Sequence, residues 1–266
     1  MGRISLKVLA RGLLRVCAIF LLLSASLAAA PSPTILEALH YKVDVWVWRD
    51  AVRVQVSLKR VGEGRYVGEI SGETLGLARI LSGNRRDIYQ TEMVYRDGRL
   101  VPVVYREESR RRGRRHLKEY RFLYDQGRLE LWQWEENQQK MSRKWQTPLD
   151  GSFHDPISAF YNHRLGFFGP IKGGDTLKVP GIPYPEPEVI EVRIGPEGEG
   201  GRQLMVSLLN RAYENQKGLI YVTLDKNQVP TQAWTRVAFG KISGYLQPGS
   251  QFLKAPLDLT KKIIIK

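Results

Sequence analysis

The stretch Asp155–Arg164, D-P-I-S-A-F-Y-N-H-R, is the clearest helix in a chain whose other segments alternate. Asp155 suits an N-cap, and Pro156 suits the first helical position, where its missing N–H is not needed. Ile157, Phe160, Tyr161 and then Arg164 or Leu165 follow the i, i+3, i+4, i+7/8 stripe of a one-sided helix. Gly166 is placed to end it in a left-handed turn. So short a helix is marginal alone. Its stripe must be buried, and the flanking sequence offers only sheet to bury it. Phe160 and Tyr161 are therefore expected against the inner face of that sheet, with Asp155 capping.

Outward from the helix the period is two. Towards the N-terminus, Tyr41, Val43, Val45 and Val47 alternate with Lys42, Asp44, Trp46 and Trp48. After Arg49-Asp50, Val52, Val54, Val56 and Leu58 alternate with polar residues, which reads as a hairpin. Arg65–Glu69 is a third strand, and Thr74–Leu81 fits a helical turn or a strand. Asp87–Tyr95 and Leu100–Glu107 flank Asp97-Gly98, a pair that favours the positive φ of a tight hairpin, and Pro102 calls for an edge or a bulge. Leu117–Tyr124 and Arg128–Trp134 form another hairpin, with Met141–Trp145 next. Beyond the helix, Asp175–Val179, Val189–Ile194, Gln203–Leu209, Leu219–Leu224, Gln232–Phe239 and Lys241–Leu246 continue the meander, broken by a proline-rich linker at 180–187 and an exposed loop at 195–201. The fold class is all-β, mainly antiparallel: a curved sheet, half-barrel or sandwich of short meander strands with one central helix at about 155–165. Residues 29–266 read as a single β-rich domain in preference to a break near 150. Pro31–Leu39 reads as a tether or first turn, and the chain from about 248 as a flexible C-terminal tail.

The first residues read as an address. Arg3, Lys7, Arg11 and Arg15 precede the apolar run Val16–Leu27, and Ser26-Leu27-Ala28 offers small residues to a signal peptidase. Residues 1–28 are expected to be a secretory signal peptide; the apolar run is short of the roughly 20 residues of a membrane span. Cys17, the single cysteine, lies inside it, so no disulfide or thiol chemistry is expected beyond the leader. Without the leader's four basic residues, the 37 Lys and Arg left outnumber the 27 Asp and Glu by ten. A basic protein in the periplasm or cell envelope meets anionic lipid, lipopolysaccharide or acidic glycan rather than nucleic acid.

The most unusual surface feature is Arg110-Arg111-Arg112-Gly113-Arg114-Arg115, with His116 and Lys118 beside it. One reading is a solvated hairpin tip. The other is an anion-binding loop of Arg110, Arg111, Arg112, Arg114, Arg115 and Lys118, because the planar guanidinium fork matches phosphate. His154, Asp155 and His163 are the only clustered ligand-type residues; the histidines are nine apart, not i, i+4, and read as interface residues around a cap. There is no Gly-x-Ser-x-Gly and no His-Glu-x-x-His, and Glu135 and Glu136 point to opposite faces of a strand. No catalytic residue, cofactor or metal is expected. The aromatics, among them Trp46, Trp48, Trp132, Trp134, Trp145 and Trp234, read mostly as core, with an acyl-holding cavity as the alternative.

Thr147–Arg164, T-P-L-D-G-S-F-H-D-P-I-S-A-F-Y-N-H-R, resembles the central signature of an exported bacterial family, domain of unknown function 3108. Leu39–Val45, Ile88–Pro102, Gly174-Asp175-Thr176, and Gly218–Pro230 with Gly240–Leu246 resemble its other parts in order, so the likeness covers about residues 37–247. The bend near Gly195–Leu204 departs from the family in being longer and more acidic. The resemblance implies an envelope protein of antiparallel β structure and implies no activity. The leading expectation is a non-enzymatic envelope protein that binds an amphipathic or polyanionic component. The alternatives are a structural protein contacting another envelope protein, and a cell-wall glycan enzyme with two carboxylates about 5–9.5 Å apart in a cleft.

Overall fold

The computed structural model describes residues 32–149, 153–182, 188–207, 218–238 and 240–259. The signal-peptide reading, Cys17, residues 183–187 of the proline-rich linker and the chain from 260 lie outside them. The described strands are β1 (Thr34–Val45), β2 (Trp48–Gly62), β3 (Arg65–Thr74), β4 (Arg86–Arg96), β5 (Arg99–Arg111), β6 (Arg114–Leu123), β7 (Arg128–Glu135), β8 (Lys140–Pro148), β9 (Thr176–Gly181), β10 (Glu188–Gly198), β11 (Gly201–Ser207), β12 (Leu219–Leu224), β13 (Pro230–Val237) and β14 (Gly240–Leu246). The two α-helices among the described residues are α1 (Gly76–Leu81) and α2 (Pro156–Arg164).

All fourteen strands belong to one antiparallel sheet, open and curved, in the order β8-β7-β6-β5-β4-β3-β2-β1-β14-β13-β12-β11-β10-β9. Every strand pairs with its neighbour in sequence except at one place. There β8 and β9 are the two edges, and the chain between them carries α2. The first and last described strands meet instead, Tyr41 opposite Leu246 and Val45 opposite Ile242. The segment entering α2 covers the β9 edge: the His154 N–H donates to the Pro180 carbonyl at 3.0 Å, and the Ile182 N–H donates to the His154 carbonyl at 2.9 Å.

The inner face buries Leu58, Tyr66, Met93, Leu100, Tyr105 and Tyr120, and α2 lays Ile157 and Tyr161 on them. The helix can come this close because β3 has Gly68 beneath it. A Cβ on Gly68 would stand 2.4 Å from Ile157 Cγ2 and 3.1 Å from Met93 Cε. Three buried polar anchors hold α2 in place. Asp155 Oδ1 accepts from the Ile157 and Ser158 N–H groups at 2.9 and 3.1 Å, and from the Thr91 hydroxyl of β4 at 2.6 Å. Ser158 returns the favour by accepting from the Asp155 N–H at 3.1 Å, completing a capping box. Asn162 pairs with the backbone of Leu100 on β5 as a neighbouring strand would, accepting its N–H at 2.7 Å and donating to its carbonyl at 2.8 Å. Arg164, fully shut off from solvent, donates to both oxygens of Glu37 on β1 at 2.6 and 2.5 Å and to the Leu253 carbonyl at 2.6 Å.

Several expectations are corrected. The chain at 34–39 is not a tether, because β1 begins at Thr34. Residues 248–259 are not a flexible tail: Gln251 bridges Ala38, the Leu257 N–H donates to the Arg164 carbonyl at 3.0 Å, and Leu257 and Leu259 are buried in the core. The first hairpin turns at Trp46-Val47 rather than Arg49-Asp50, so Trp46 is 62 % exposed and not core. Trp132, Trp134 and Trp234 also lie outside the core, each under a cation: Arg121 at 4.4 Å, Arg115 at 5.9 Å and Lys241 at 5.0 Å from the ring centroids. Tyr161 is fully buried as expected, whereas Phe160 is only partly buried, because the space beside it is open. The strands are longer than expected, β2 running 15 residues. Pro102 sits at a bulge, where the register slips between Glu92 and Met93. Thr74–Leu81 divides into the end of β3 and the helix α1.

Glu37→Gln should cost ~3–5 kcal/mol, because it leaves the Arg164 charge buried without a counter-ion. Urea unfolding reads this directly. Replacing Glu37 and Arg164 together by Met should cost less than the single change.

Candidate functional site: an arginine cleft beside an apolar interior

The pleat divides the basic run at the β5–β6 tip between two faces. Successive strand residues point to opposite sides. Cross-strand partners on the inner side are Tyr105 with Tyr120, Glu107 with Lys118, Ser109 with His116, and Arg111 with Arg114. On the outer side Arg106 faces Glu119, and Arg110 faces Arg115. Arg110 and Arg115 both bind Glu108, at 2.6 and 2.9 Å. Partial burial works to raise the Glu108 pKa, but the two guanidinium groups outweigh it and hold the carboxyl below its usual range. Arg111, Arg112 and Arg114 form no ion pair among the described residues. The expected anion-binding set is therefore split: Arg111, Arg112 and Arg114 come together, Arg110 and Arg115 face the other way, and Lys118 is half-buried, its ammonium pKa pushed down by burial and partly restored by Glu107.

The inner group lines a cleft of about 600 Å³ whose walls are Arg85, Ser109, Arg111, Arg112, Arg114 and His116, with no acid among them. Two hydrogen bonds fix the tip against the loop after α1. The Arg112 N–H donates to the Gly83 carbonyl at 2.8 Å, and Arg111 Nε donates to the Ser82 carbonyl at 3.0 Å. Arg85 was not foreseen as a member; it lies on β4's approach, 25 residues before Arg110 in the sequence, and only the β4–β5 pairing brings it in.

Arg85 also lines a second cavity, of about 540 Å³, walled mostly by Val52, Val54, Ile70, Leu81 and Ile242. Tyr89 lines this one and also a third, of about 440 Å³, between α2 and β9–β12. That interior cavity has Phe160 and Ala159 on the helix side and Val179, Val206 and Val222 on the sheet side. Its lining includes the polar side chains of Tyr89, Tyr105, Glu107, whose carboxyl is pushed up chiefly by burial, and His163, whose imidazole is pushed down by burial and by Arg164. Phe160, read as core, is thus a wall of this cavity. The arginine cleft, the middle cavity and the interior cavity follow one another through shared side chains, charged at one end and apolar at the other.

His154 has a structural role. His154 is buried, and desolvation, helped by Arg99, pushes its pKa down to about 4. Its neutral ring faces the Asn162 amide at 3.3 Å. Asp155 is a cap: burial raises its pKa, and the bonds from Thr91 and Ser158 work against that rise. Among the described residues no three His, Cys, Asp or Glu side chains stand together as a metal-ion set. Glu135 binds Lys144 and Ser142 on the surface, so the Glu135-Glu136 pair forms no shared site.

The family's sequence profile matches residues 40–247. The chain belongs to the family described as protein of unknown function, DUF3108. For this DUF3108 member, no curated protein matches. Among solved structures it is similar to a beta-barrel-like protein of domain of unknown function DUF1849 from Brucella abortus, at 9 % identity and a TM-score of 0.44, over 80 % of this chain and 97 % of that one. Neither description names an enzymatic activity. No described helix of this DUF3108 chain is long and apolar enough to cross a membrane.

A histidine held neutral by folding binds fewer protons than in the unfolded chain, so its contribution is present above the unfolded pKa of about 6.5 and is lost as pH falls towards 4. A shift of this size corresponds to about 3 kcal/mol lost over that window. Urea unfolding at pH 7 and pH 4.5 should show the loss, and His154→Gln should flatten it.

Proposed function

We propose that this protein is a non-enzymatic binding protein of the cell envelope, and that its ligand is an anionic amphiphile. The anionic head lies in the cleft of Arg85, Arg111, Arg112, Arg114 and His116, and the apolar portion enters the cavities beyond it. The observation that carries this reading is the shared Arg85, which belongs to the acid-free cleft and also, with its partner Asp87 at 2.8 Å, to a mostly apolar cavity. The interior cavity, at about 440 Å³, falls in the size range of small-molecule pockets. The opposition of Arg111 and Arg114 across the β5–β6 pair supports it further: like charges directly opposite on a sheet cost stability, and a bound anion would relieve that cost. The export address read in residues 1–28 and the basic excess agree with a lipid or lipopolysaccharide component as the source of the ligand.

Titration with a single-chain anionic lipid below its aggregation threshold, followed by native mass spectrometry, tests the reading. Arg111→Ala with Arg114→Ala should weaken binding by about tenfold or more, since charge-assisted hydrogen bonds contribute about 1.5–3 kcal/mol. The same variant should bind an uncharged analogue of equal chain length as the parent does. Val206→Phe, which fills the interior cavity, should weaken both ligands. Absence of any complex with either lipid would remove the basis of the proposal.

A further inference from the structure

The β1–β2 turn and α1 stand at the same end of the sheet, around the mouth of the middle cavity, which Val45 and Trp48 line from one side and Ala78 and Leu81 from the other. A backbone bond from the Leu75 N–H to the Ala51 carbonyl, 2.8 Å, ties the two together. Both present large apolar side chains to solvent. In α1, Leu77 is 62 % exposed, Ile80 73 % and Leu81 55 %, and the helix buries no residue at all. In the turn, Trp46 is 62 % and Val47 65 % exposed. Trp46 holds a left-handed φ of 55°, a conformation that costs a bulky side chain energy and is kept here with the indole outside the core. An apolar helix of this kind lowers solubility without adding to the core, so its retention calls for something to cover it.

Cations surround the apolar rim. Arg79 lies on α1 itself, and Arg112 packs against Gly83 just after it. The arginine cleft opens beside the rim through the Ser82–Arg111 and Gly83–Arg112 bonds. On the outer face Arg86, Arg110 and Arg115 lie side by side across β4, β5 and β6. A protruding indole and aliphatic side chains flanked by arginines match the two layers of an anionic lipid surface: acyl carbon for the prongs, phosphate for the guanidinium groups.

We propose that this end of the sheet, with Trp46, Val47, Leu77 and Ile80 as its apolar prongs and Arg79, Arg112 and Arg114 around them, docks the protein on an anionic lipid bilayer. Arg112 and Arg114 are shared with the cleft proposed above, but the apolar prongs stand apart from that ligand binding, because Leu77 and Ile80 line none of the cavities described. It sets the cavity mouth against the surface.

Co-sedimentation with phosphatidylcholine vesicles, with and without phosphatidylglycerol, tests the surface using the folded protein without its leader. The parent should bind the anionic vesicles, bind zwitterionic ones about tenfold more weakly or worse, and release as added salt screens the arginines. Leu77→Ser with Ile80→Ser should lower binding to anionic vesicles by about tenfold at an unchanged melting temperature, and should leave single-chain lipid binding in solution intact. Val47→Asp, on the other element, should act in the same direction. No binding to anionic vesicles overturns the proposal, as does equal binding by parent and variants. Concentration-dependent dimerisation that Leu77→Ser with Ile80→Ser abolishes also overturns it, by making a second copy of the chain the occupant. Loss of soluble-lipid binding with vesicle binding retained counts against the interior ligand and leaves the docking surface standing.

Discussion

The ion pair of Arg164 and Glu37 has no contact with solvent, and the fold converges on it. Taking two charges out of water costs several kcal/mol per ion unless their remaining hydrogen-bonding capacity is met. Here both Glu37 oxygens accept from Arg164, the Leu253 N–H donates to Glu37 at 3.2 Å, and the Leu253 carbonyl accepts from Arg164, which leaves Arg164 Nε as the buried donor without a partner. The pair therefore joins the first described strand, the end of the central helix and the last described stretch of chain. The helix is held in one orientation by directional bonds, so its Ile157–Tyr161 side packs on the sheet and its Phe160 side is left to face a cavity.

Much of the architecture is legible in the alternation of apolar and polar residues. The hairpin around Asp97-Gly98, the bulge at Pro102 and the cap at Asp155 each follow from a local stereochemical demand of one residue type, and each is present. What stayed hidden depends on partners far away in sequence. Glu37 reads as part of a tether because its counter-ion is 127 residues distant. Residues 248–259 alternate poorly because they are pinned by backbone bonds to Ala38 and Arg164 and contribute only scattered leucines to the core. Phe160 fits the helical stripe, but a stripe predicts which side faces inward and says nothing of how completely the opposite wall closes on it. Gly68 carries no signal of its own until the helix above it is placed.

The candidate site shows the same division. The run Arg110–Arg115 is conspicuous, and strand geometry alone is enough to sort it once the turn is located at Arg112-Gly113, where both residues take a left-handed φ. Arg110 stands two residues from Glu108 on the same strand and so shares its face, with Arg115 opposite, whereas Arg111 and Arg114 fall on the other side. Alternation relative to Glu108, more than the number of arginines, decides which guanidinium groups remain uncompensated. The tryptophans follow a related rule: a cation above the ring lets a large aromatic occupy the outer face, so aromatic content overstates the size of the core.

The strand order bears on how the chain reaches this structure. Thirteen pairings join the fourteen strands, and all but one connect sequence neighbours; the exception joins Tyr41 to Leu246, almost the full length of the described chain apart. Hairpins form early because they close short loops, whereas contacts distant in sequence wait until the entropy of a long loop has been overcome. The β1–β14 seam, with the Arg164–Glu37–Leu253 junction beside it, thus belongs to the end of folding. Until β14 docks, β1 has one open edge, and the helix lacks the Leu253 carbonyl that completes its anchor. Joining of the two halves of the sheet into one surface thus waits on β14 and on the chain around Leu253.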